Sequence, residues 1–379
     1  MDLQLSDDQR ALRSGMRDLL GAVFDREALR AAVERGGAVD RGLWRELGAA
    51  GLFALRLPEA AGGVGLGLPE AVLLFEEAGR ALLPGPLVAT HLAAGAVEGA
   101  AEGEAVVTVA EGGGRPVAHL AEVDAVLVRS GVRAGPGAPA GSGGLTGLGV
   151  LTGEALAASV AEAGPVRSLD PLTPLHRAEG LAGAVTGLVG AATGLSSAAM
   201  GLEGAVTGLA RAAAGLARGS EAYPGAFRDQ GALLTAAEQL GSATRTTEMA
   251  VQHARAREQF GAPIGSFQAV KHLCADMLAR TEPARGALYA AALTADPVEI
   301  AAAKLLADEA AVRNARDCLQ IHGGMGFTWE ADVHLHLKRA WLRASRWLTA
   351  AEAEEILAAA LGPSSGPVPP LYSGSAARG

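Results

Sequence analysis

Hydrophobic positions follow a helical period through the first hundred residues. Apolar residues at 12–20 recur on one face behind an acidic pair, which predicts an amphipathic helix with acid at its positive N-terminal end. The same period predicts a second helix over 41–50 and a third over 69–82. The third begins with proline, which is favoured in the first turn of a helix.

The pattern changes between residues 101 and 180, where helical spacing gives way to short β-branched runs. Residues 105–109 and 124–129 have the composition of strands. Glycine-rich stretches at 112–114 and 135–144 follow them. This part of the chain is therefore predicted to be a small, loop-rich β segment.

Long helical segments joined by short turns fill the chain from Phe227 onward. The turn at 261–265 is rich in glycine and proline, and Ser266 is placed to cap the helix that follows it. Helices of this length and spacing predict a helical bundle. The four predicted helices cover residues 229–257, 267–293, 298–321 and 331–361.

Together these patterns predict a mainly α protein with a small middle β domain. The predicted parts are a helical N-terminal domain (1–100), a middle β-type domain with an Ala/Gly-rich low-complexity stretch (101–225), a C-terminal helical bundle (226–362) and a flexible tail (363–379).

Composition narrows the classes of function. The chain has 379 residues, 49% hydrophobic and 19% charged, which excludes a disordered chain and allows a large core. Its formal charge of −9 argues against nucleic-acid binding, which needs clustered positive charge. The two cysteines, Cys274 and Cys318, form neither a disulfide framework nor a metal cluster, and we interpret them as small buried hydrophobes.

One uncharged run raises the alternative of a membrane span. No charged residue lies between Leu181 and Met200, and the length nearly matches a bilayer. Its many glycines disfavour both insertion and helix, so an insert or small-residue helices packed against protein are the preferred interpretation. Membrane association through 181–218 is the alternative. The acidic start, MDLQLSDDQR, is unlike a secretion signal, and a cytoplasmic location is predicted.

The segment REQFGAPIGSFQAVKH (257–272) is the first candidate for chemistry. It places an arginine at a helix end, beside a phenylalanine, a rigid turn and a new helix N-terminus. A guanidinium suits a pyrophosphate, and an aromatic face suits an adenine ring. The alternative is an ordinary corner between two helices.

The segment QIHGGMGFTWE (320–330) is the second candidate. Paired glycines after a helix allow a ligand to approach the backbone closely and leave N–H groups free to face an anion. The pattern is not GxGxxG and follows no strand, so it does not indicate a Rossmann site. A C-terminal helix cap is the alternative.

At this spacing the two segments resemble the acyl-CoA dehydrogenase family, of the actinobacterial type. DLQLSDDQRALR (2–13) resembles the opening helix of that family. LWRELGAAGLFALRLPEAAGGVGLGLPEAVLLFEEAGRAL (43–82) resembles its second and third helices with the glycine-rich turn. The resemblance covers residues 1–95 and 228–345.

The resemblance implies a helical N-terminal domain, a middle β domain and a C-terminal four-helix bundle that mediates oligomers, with FAD at a subunit interface. It implies oxidation of an acyl-CoA thioester to the α,β-enoyl-CoA, in which a carboxylate removes the α proton and hydride leaves the β carbon for the flavin. Arg257 would contact the pyrophosphate, and Phe260 would lie by the adenine. The residues completing the dinucleotide site would be Gln268, Gln320, Gly323 and Gly324, the last three reaching a neighbouring subunit's FAD.

Two features of the family pattern are missing. Residues 101–180 lack the Thr-Glu-Pro-Gly loop and the Trp-Ile-Thr strand that lie against the flavin ring. The resemblance places the catalytic glutamate either in a loop, near Trp347 of this chain, or on the first bundle helix, near Gly231. Glu238 lies seven residues further on the same helical face but about 10 Å along the axis. It is the candidate substitute base, and a structural ion pair is the alternative.

A chain lacking both glutamates suits an assembly in which a different chain supplies the base. The predicted function is FAD-dependent α,β-dehydrogenation of an acyl-CoA, either in a homo-oligomer or only with a second acyl-CoA dehydrogenase-like chain. The alternative is a non-catalytic subunit that stabilises a catalytic partner. No metal site is predicted, since His334 and His336 point about 200° apart on a helix. His322 is interpreted as bonded to the backbone, with ligand contact as the alternative.

Overall fold

The computed structural model describes residues 4–112, 114–129, 148–178, 181 and 225–362. The predicted glycine-rich loop at 135–144, the tail, and nearly all of the low-complexity run lie outside the described residues. The helices are α1 (Asp7–Val23), α2 (Arg26–Glu34), α3 (Arg41–Ala49), α4 (Leu68–Arg80), α5 (Leu87–Ala93), α6 (Gly153–Glu162), α7 (Gly225–Ala256), α8 (Gln268–Thr294), α9 (Pro297–His322), α10 (Val333–Ala344) and α11 (Ala350–Leu361). The strands are β1 (Val107–Ala110), β2 (Val117–Ala118), β3 (Ala125–Arg129), β4 (Leu148–Thr152), β5 (Gly164–Val166), β6 (Leu175–Arg177), β7 (Glu258–Gln259) and β8 (Ala262–Pro263).

The three predicted N-terminal helices are present as α1, α3 and α4, and the structure adds α2 and α5, which were not predicted. Ser6 and Gln9 make a capping box at the start of α1, which satisfies two backbone N–H groups at the helix end. Helix α4 is largely buried, and its side chain Phe75 is inaccessible to solvent. The predicted mainly α architecture with a small β segment is confirmed.

The described part of the β segment contains two small three-stranded sheets. In the first sheet β3 pairs parallel with β1 and antiparallel with β4, so that Val126 lies opposite both Thr108 and Leu151. In the second, β6 lies between β2 and β5. The two strands predicted from β-branched runs are β1 and β3, and both are confirmed to within two residues.

The C-terminal part contains five helices, so the prediction of one final helix over 331–361 is wrong. Helices α10 and α11 are separated by a turn at 345–349, in which Trp347 has a positive φ of 61°. The predicted cap at Ser266 is also wrong. Its hydroxyl donates to the Pro263 carbonyl, and Phe267 precedes α8 without a side-chain cap.

Glycines bring α4 and α7 into direct backbone contact. A Cβ on Gly79 would lie less than 3.0 Å from backbone atoms of Glu238, and one on Gly241 would do the same with Glu76. Larger side chains would force the helices apart, because packed interiors leave no room to absorb such an overlap. This crossing fixes the N-terminal domain against the first bundle helix.

A buried polar network ties three bundle helices together. Lys304 of α9 is 1% exposed and pairs with Asp308 one turn later, while it also donates to the Arg343 carbonyl of α10. Gln239 of α7 donates to both Asp308 and the Ala340 carbonyl at 2.9 Å. Since a buried charge without a partner is costly, these groups hold the relative positions of α7, α9 and α10.

Other features of the described residues bear on the sequence predictions. No helix among them is both long enough and apolar enough to cross a membrane. Cys274 is partly buried and Cys318 is buried, both with free thiols. His322 Nδ1 lies 2.8 Å from the Cys318 carbonyl oxygen, which confirms a backbone-bonded histidine.

The buried imidazole of His336 gives the fold a sensitivity to acid. Burial and the surrounding arginines 245, 343, 339 and 80 lower the pKa of His336 to about 3. An unfolded histidine titrates near 6.5, so between these values the unfolded chain binds a proton that the folded chain does not. The free energy of unfolding therefore falls as pH drops, by about 1.4 kcal/mol per pH unit for this group.

Replacing His336 by Gln should flatten this dependence. We expect the slope of unfolding free energy against pH to decrease by about 1.4 kcal/mol per unit between about pH 6 and pH 4.5. Urea unfolding at several pH values measures the slope, and His272→Gln, at an exposed position, is the control. A slope equal to that of the unmutated chain would contradict the assignment.

Candidate functional site

The corner between α7 and α8 is a tight hairpin with an aromatic residue at its tip. Strands β7 and β8 pair antiparallel around Phe260 and Gly261. Both tip residues have positive φ, 55° and 80°, as in a type I′ hairpin turn. The side chain of Phe260 is 94% exposed, and its ring lies edge-on to that of Phe267, with ring centroids 6.0 Å apart.

This conformation is unfavourable for phenylalanine. Asparagine or glycine is usual at the first position of such a turn, and a positive φ costs another residue roughly 1–3 kcal/mol. Burying the ring could offset this free-energy cost, but the ring of Phe260 is exposed. The position therefore contributes little to the fold, and the ring is available to stack on a planar ligand.

Two polar side chains flank the tip. Arg257 follows α7, and its carbonyl accepts a hydrogen bond from Ile264 N–H at 2.7 Å, which closes the corner. Its guanidinium is exposed, and so is the amide of Gln268 at the start of α8. Neither side chain makes a hydrogen bond or ion pair with any residue in the described part of the chain, so both are free to bind a ligand.

The diglycine bend lies at the end of α9. Gly323 has φ 60° and begins a 3₁₀ turn over Gly323–Phe327. A Cβ on Gly323 or Gly324 would meet no atom within 4 Å, so a ligand has open access to this backbone. Gln320, in the last turn of α9, is exposed as well.

Two stacked histidines bring the corner and the bend to the same end of the bundle. The imidazoles of His253, one turn before Arg257, and His322, directly before Gly323, stack with centroids 4.1 Å apart and planes 19° from parallel. Burial, with His322 and Arg257 nearby, lowers the pKa of His253. The stack therefore places the end of α7, which leads into Arg257, next to the end of α9, which leads into Gly323.

The two residues near which the resemblance predicts a base, Gly231 and Trp347, also lie together. A Cβ on Gly231 would lie less than 3.0 Å from Cε3, Cδ2 and Cζ3 of Trp347, so the indole lies directly against the helix backbone. The indole also packs edge-on against Phe227, with ring centroids 5.4 Å apart. Neither position offers a carboxylate, and the indole fills the space between them.

Glu238, the candidate substitute base, is held in an ion pair. Its Oε1 accepts a hydrogen bond from Arg343 Nη2 at 2.7 Å, and both side chains are buried. Burial raises the pKa of Glu238, and the charges of Arg343 and Arg339 oppose that shift. The geometry supports the structural alternative for this residue.

Only a small cavity remains beside Trp347, Glu238 and Arg343. The cavity measures about 80 Å³. A site for a small ligand usually measures about 300 Å³ or more, so this space suits a few water molecules. Its described walls include Val109, His119, Thr235, Glu238, Arg343 and Trp347.

The described residues of the corner suit the adenine end of FAD. Phe260 and Arg257 present an exposed ring and a guanidinium that is unpaired among the described residues. In the β segment, the hydroxyl of Thr108 donates to the Ala118 carbonyl, and Glu111 is bound to Arg346 and to the Trp347 N–H.

Comparison with known proteins identifies the family. Residues 6–103 match the acyl-CoA dehydrogenase N-terminal domain, and residues 223–357 match the acyl-CoA dehydrogenase C-terminal domain. Acyl-CoA dehydrogenase IpdE2 of Mycobacterium tuberculosis is 32% identical over 335 residues, which cover 88% of this chain and 91% of that protein. The chain belongs to the acyl-CoA dehydrogenase family, whose members are FAD-dependent oxidoreductases.

Solved structures share the fold. Butyryl-CoA dehydrogenase from Megasphaera elsdenii superposes with a TM-score of 0.70 at 19% identity, covering 95% of this chain and 100% of that one. A chain of the ChsE4-ChsE5 complex from Mycobacterium tuberculosis superposes with a TM-score of 0.68 at 22% identity, covering 97% and 100%. Both comparisons confirm the predicted acyl-CoA dehydrogenase-like fold.

Sequence reasoning missed the residues around the turn at 345–349. Glu111, Arg115 and Arg346 form a charged group there, in which Arg346 Nε lies 2.6 Å from Glu111 Oε1. A carboxylate directly after strand β1 was the available signal. Nothing in the spacing of the chain connects residue 111 with a turn more than two hundred residues later.

Replacing Phe260 by Gly should leave stability almost unchanged. Glycine relieves the positive φ but loses backbone entropy, and the two effects are of similar size, so we expect a change within about 1 kcal/mol. Denaturant unfolding measures it, and Phe227→Ala, at a buried ring, should cost about 3–5 kcal/mol. Equal losses in the two variants would show that Phe260 serves the fold.

Proposed function

We propose that this chain is a subunit of an FAD-dependent acyl-CoA dehydrogenase assembled from two kinds of chain. In this assembly the α,β-dehydrogenation of an acyl-CoA uses a carboxylate from the partner chain. The observation that carries the proposal is the contact between Gly231 and Trp347, the two positions where a base of this family would stand. When bound, FAD accepts the hydride that leaves the β carbon of the acyl group.

The role of this chain is to hold the nucleotide end of that cofactor. Phe260 stacks against the adenine, and Arg257 binds the pyrophosphate, because a guanidinium matches phosphate oxygens with two parallel N–H groups. Gln268 donates from the first turn of α8. Gln320 and the backbone N–H groups of Gly323 and Gly324 face the cofactor bound by a neighbouring chain.

The base comes from elsewhere because the described carboxylates of Glu111 and Glu238 are both held in ion pairs. A general base must lie within about 3 Å of the proton that it removes. Glu238 is about 10 Å along α7 from Gly231, and its charge is neutralised by Arg343. The fold is compatible with such an arrangement, since the ChsE4-ChsE5 complex shares it.

A purely stabilising role is the second candidate function, and the filled space beside Gly231 favours it. The two candidates differ in whether residues of this chain touch the cofactor. Two observations favour cofactor contact. The hairpin tip carries an exposed phenylalanine although glycine or asparagine would fit its positive φ without strain, and the guanidinium of Arg257 has no partner among the described residues. Flavin retention in the assembled complex discriminates between them.

Co-purification with other acyl-CoA dehydrogenase-like chains tests the proposal. We expect the chain alone to retain little flavin and to reduce no electron acceptor with a series of acyl-CoA substrates. The complex with its partner should be yellow and active. A chain that alone binds FAD stoichiometrically and oxidises an acyl-CoA would contradict the proposal.

Replacing Arg257 by Ala should weaken flavin retention in that complex without disturbing the bundle. Loss of a charge-assisted hydrogen bond to phosphate costs about 1.5–3 kcal/mol, which corresponds to roughly 10- to 100-fold weaker binding. Flavin absorbance after gel filtration measures retention. Arg313→Ala removes another exposed guanidinium, paired with Glu309, and is the matched control.

If Arg257→Ala and Arg313→Ala retain equal flavin, Arg257 does not touch the cofactor. The stabilising role would then be the better account of this chain.

A further inference from the structure

We propose that Trp347 permanently occupies the place in which this chain would otherwise hold the reacting part of an acyl group. The inference rests on the proposed function only in taking positions 231 and 347 as neighbours of that group. It explains why the chain needs a partner: the site is closed by one of its own side chains, in addition to lacking a base.

The proximity of positions 231 and 347 indicates where the α carbon of an acyl group would lie. A carboxylate at either position would have to reach the same α proton, so the carbon that carries it must lie close to both backbones. In this chain the space common to Gly231 and residue 347 contains the indole of Trp347 itself. Trp347 is 6% exposed, and its neighbour Phe227 closes one side of it.

The backbone on either side of the indole is fixed. Trp347 N–H donates to Glu111 Oε2 at 2.8 Å, and the Trp347 carbonyl accepts from Arg228 Nε at 2.9 Å. Trp347 has a positive φ, a conformation that a bulky residue keeps only when its surroundings impose it. Hydrogen bonds to both backbone groups supply that constraint.

Ion pairs further restrain the same turn. Glu111 pairs with Arg346 at 2.6 Å and with Arg115 at 3.2 Å, and Arg115 Nη1 also donates to the Ser345 carbonyl at 3.2 Å. Glu111 and Arg115 belong to the loop after β1, whereas residues 345–347 belong to the C-terminal part. Glu111, Arg115 and Arg228 thus join the β segment and α7 to the turn that carries Trp347.

The small size of the remaining cavity agrees with occupation of the acyl position by the Trp347 indole. Beside the indole only about 80 Å³ is left, and its described walls include the ion-paired side chains of Glu238 and Arg343. An acyl chain entering it would have to displace the Glu238–Arg343 pair from its buried position. Removing the indole, in contrast, would leave an apolar cavity against Gly231 and Phe227, and such cavities bind small aromatic molecules.

Cavity rescue tests the inference on the isolated chain, with neither flavin nor partner. Trp347→Ala should lower the thermal unfolding midpoint by several degrees, and millimolar indole should raise it again in a saturable way. Indole should leave the unmutated chain unaffected. Trp329→Ala, at a ring that is 55% exposed, is the matched control and should show neither effect.

A double-mutant cycle covers the case in which Trp347→Ala does not fold. Gly231→Ala should lower the unfolding midpoint strongly beside Trp347, because the added methyl overlaps the indole. Beside Trp347→Leu the same substitution should cost much less. Equal losses in the two backgrounds, or the absence of any indole effect on a folded Trp347→Ala chain, would overturn the inference.

A thioester probe asks whether the vacated space is an acyl position. Butyryl-CoA should protect Trp347→Ala against thermal unfolding more than CoA alone, and the two should act alike on the unmutated chain. Indole rescue without this preference would refute the acyl assignment. Failure to find an active partner would refute the proposed function and leave these results unchanged.

Discussion

In the proposed assembly, the contact between the Trp347 indole and the backbone of Gly231 limits what this chain contributes to catalysis. The indole leaves room only for glycine on α7, it lies in the positive-φ turn between α10 and α11, and the cavity beside it is small. The account of a dependent subunit rests on this one contact.

Residues at the opposite end of α7 are exposed, whereas the space around Trp347 near its start is filled. Phe260 and Arg257 stand exposed at a hairpin tip, and the Gly323–Gly324 backbone is uncovered beside them. The stacked pair His253 and His322 holds these two places in register. In our proposal, one protein thus combines an acyl position filled by its own side chain with an exposed nucleotide-binding edge, as expected of a chain that completes a site on another.

Much of the fold could be predicted from the sequence because its helices carry local signals. The long apolar periods located α7, α8 and α9 to within a few residues. The break at 345–349 could not be predicted, since tryptophan is not a turn residue and its positive φ is imposed by Glu111 and Arg228 from distant elements. Ser266 failed as a cap because its hydroxyl turns back to Pro263.

The candidate site shows the same division between local and distant information. Its individual residues were recognisable by their resemblance to a family, and the absence of glutamate at 231 and 347 was visible in the sequence. What the sequence could not show is that these two positions touch each other, or that Glu238 is paired with Arg343. Both facts depend on the crossing of helices far apart in the chain.

The most direct measurement is an electron-density map of the assembled two-chain complex with FAD and a non-reactive acyl-CoA analogue. The account predicts adenine density against Phe260 and acyl density beside the carboxylate of the partner, with Trp347 still packed on Gly231. Acyl density between Gly231 and a displaced Trp347 would contradict it.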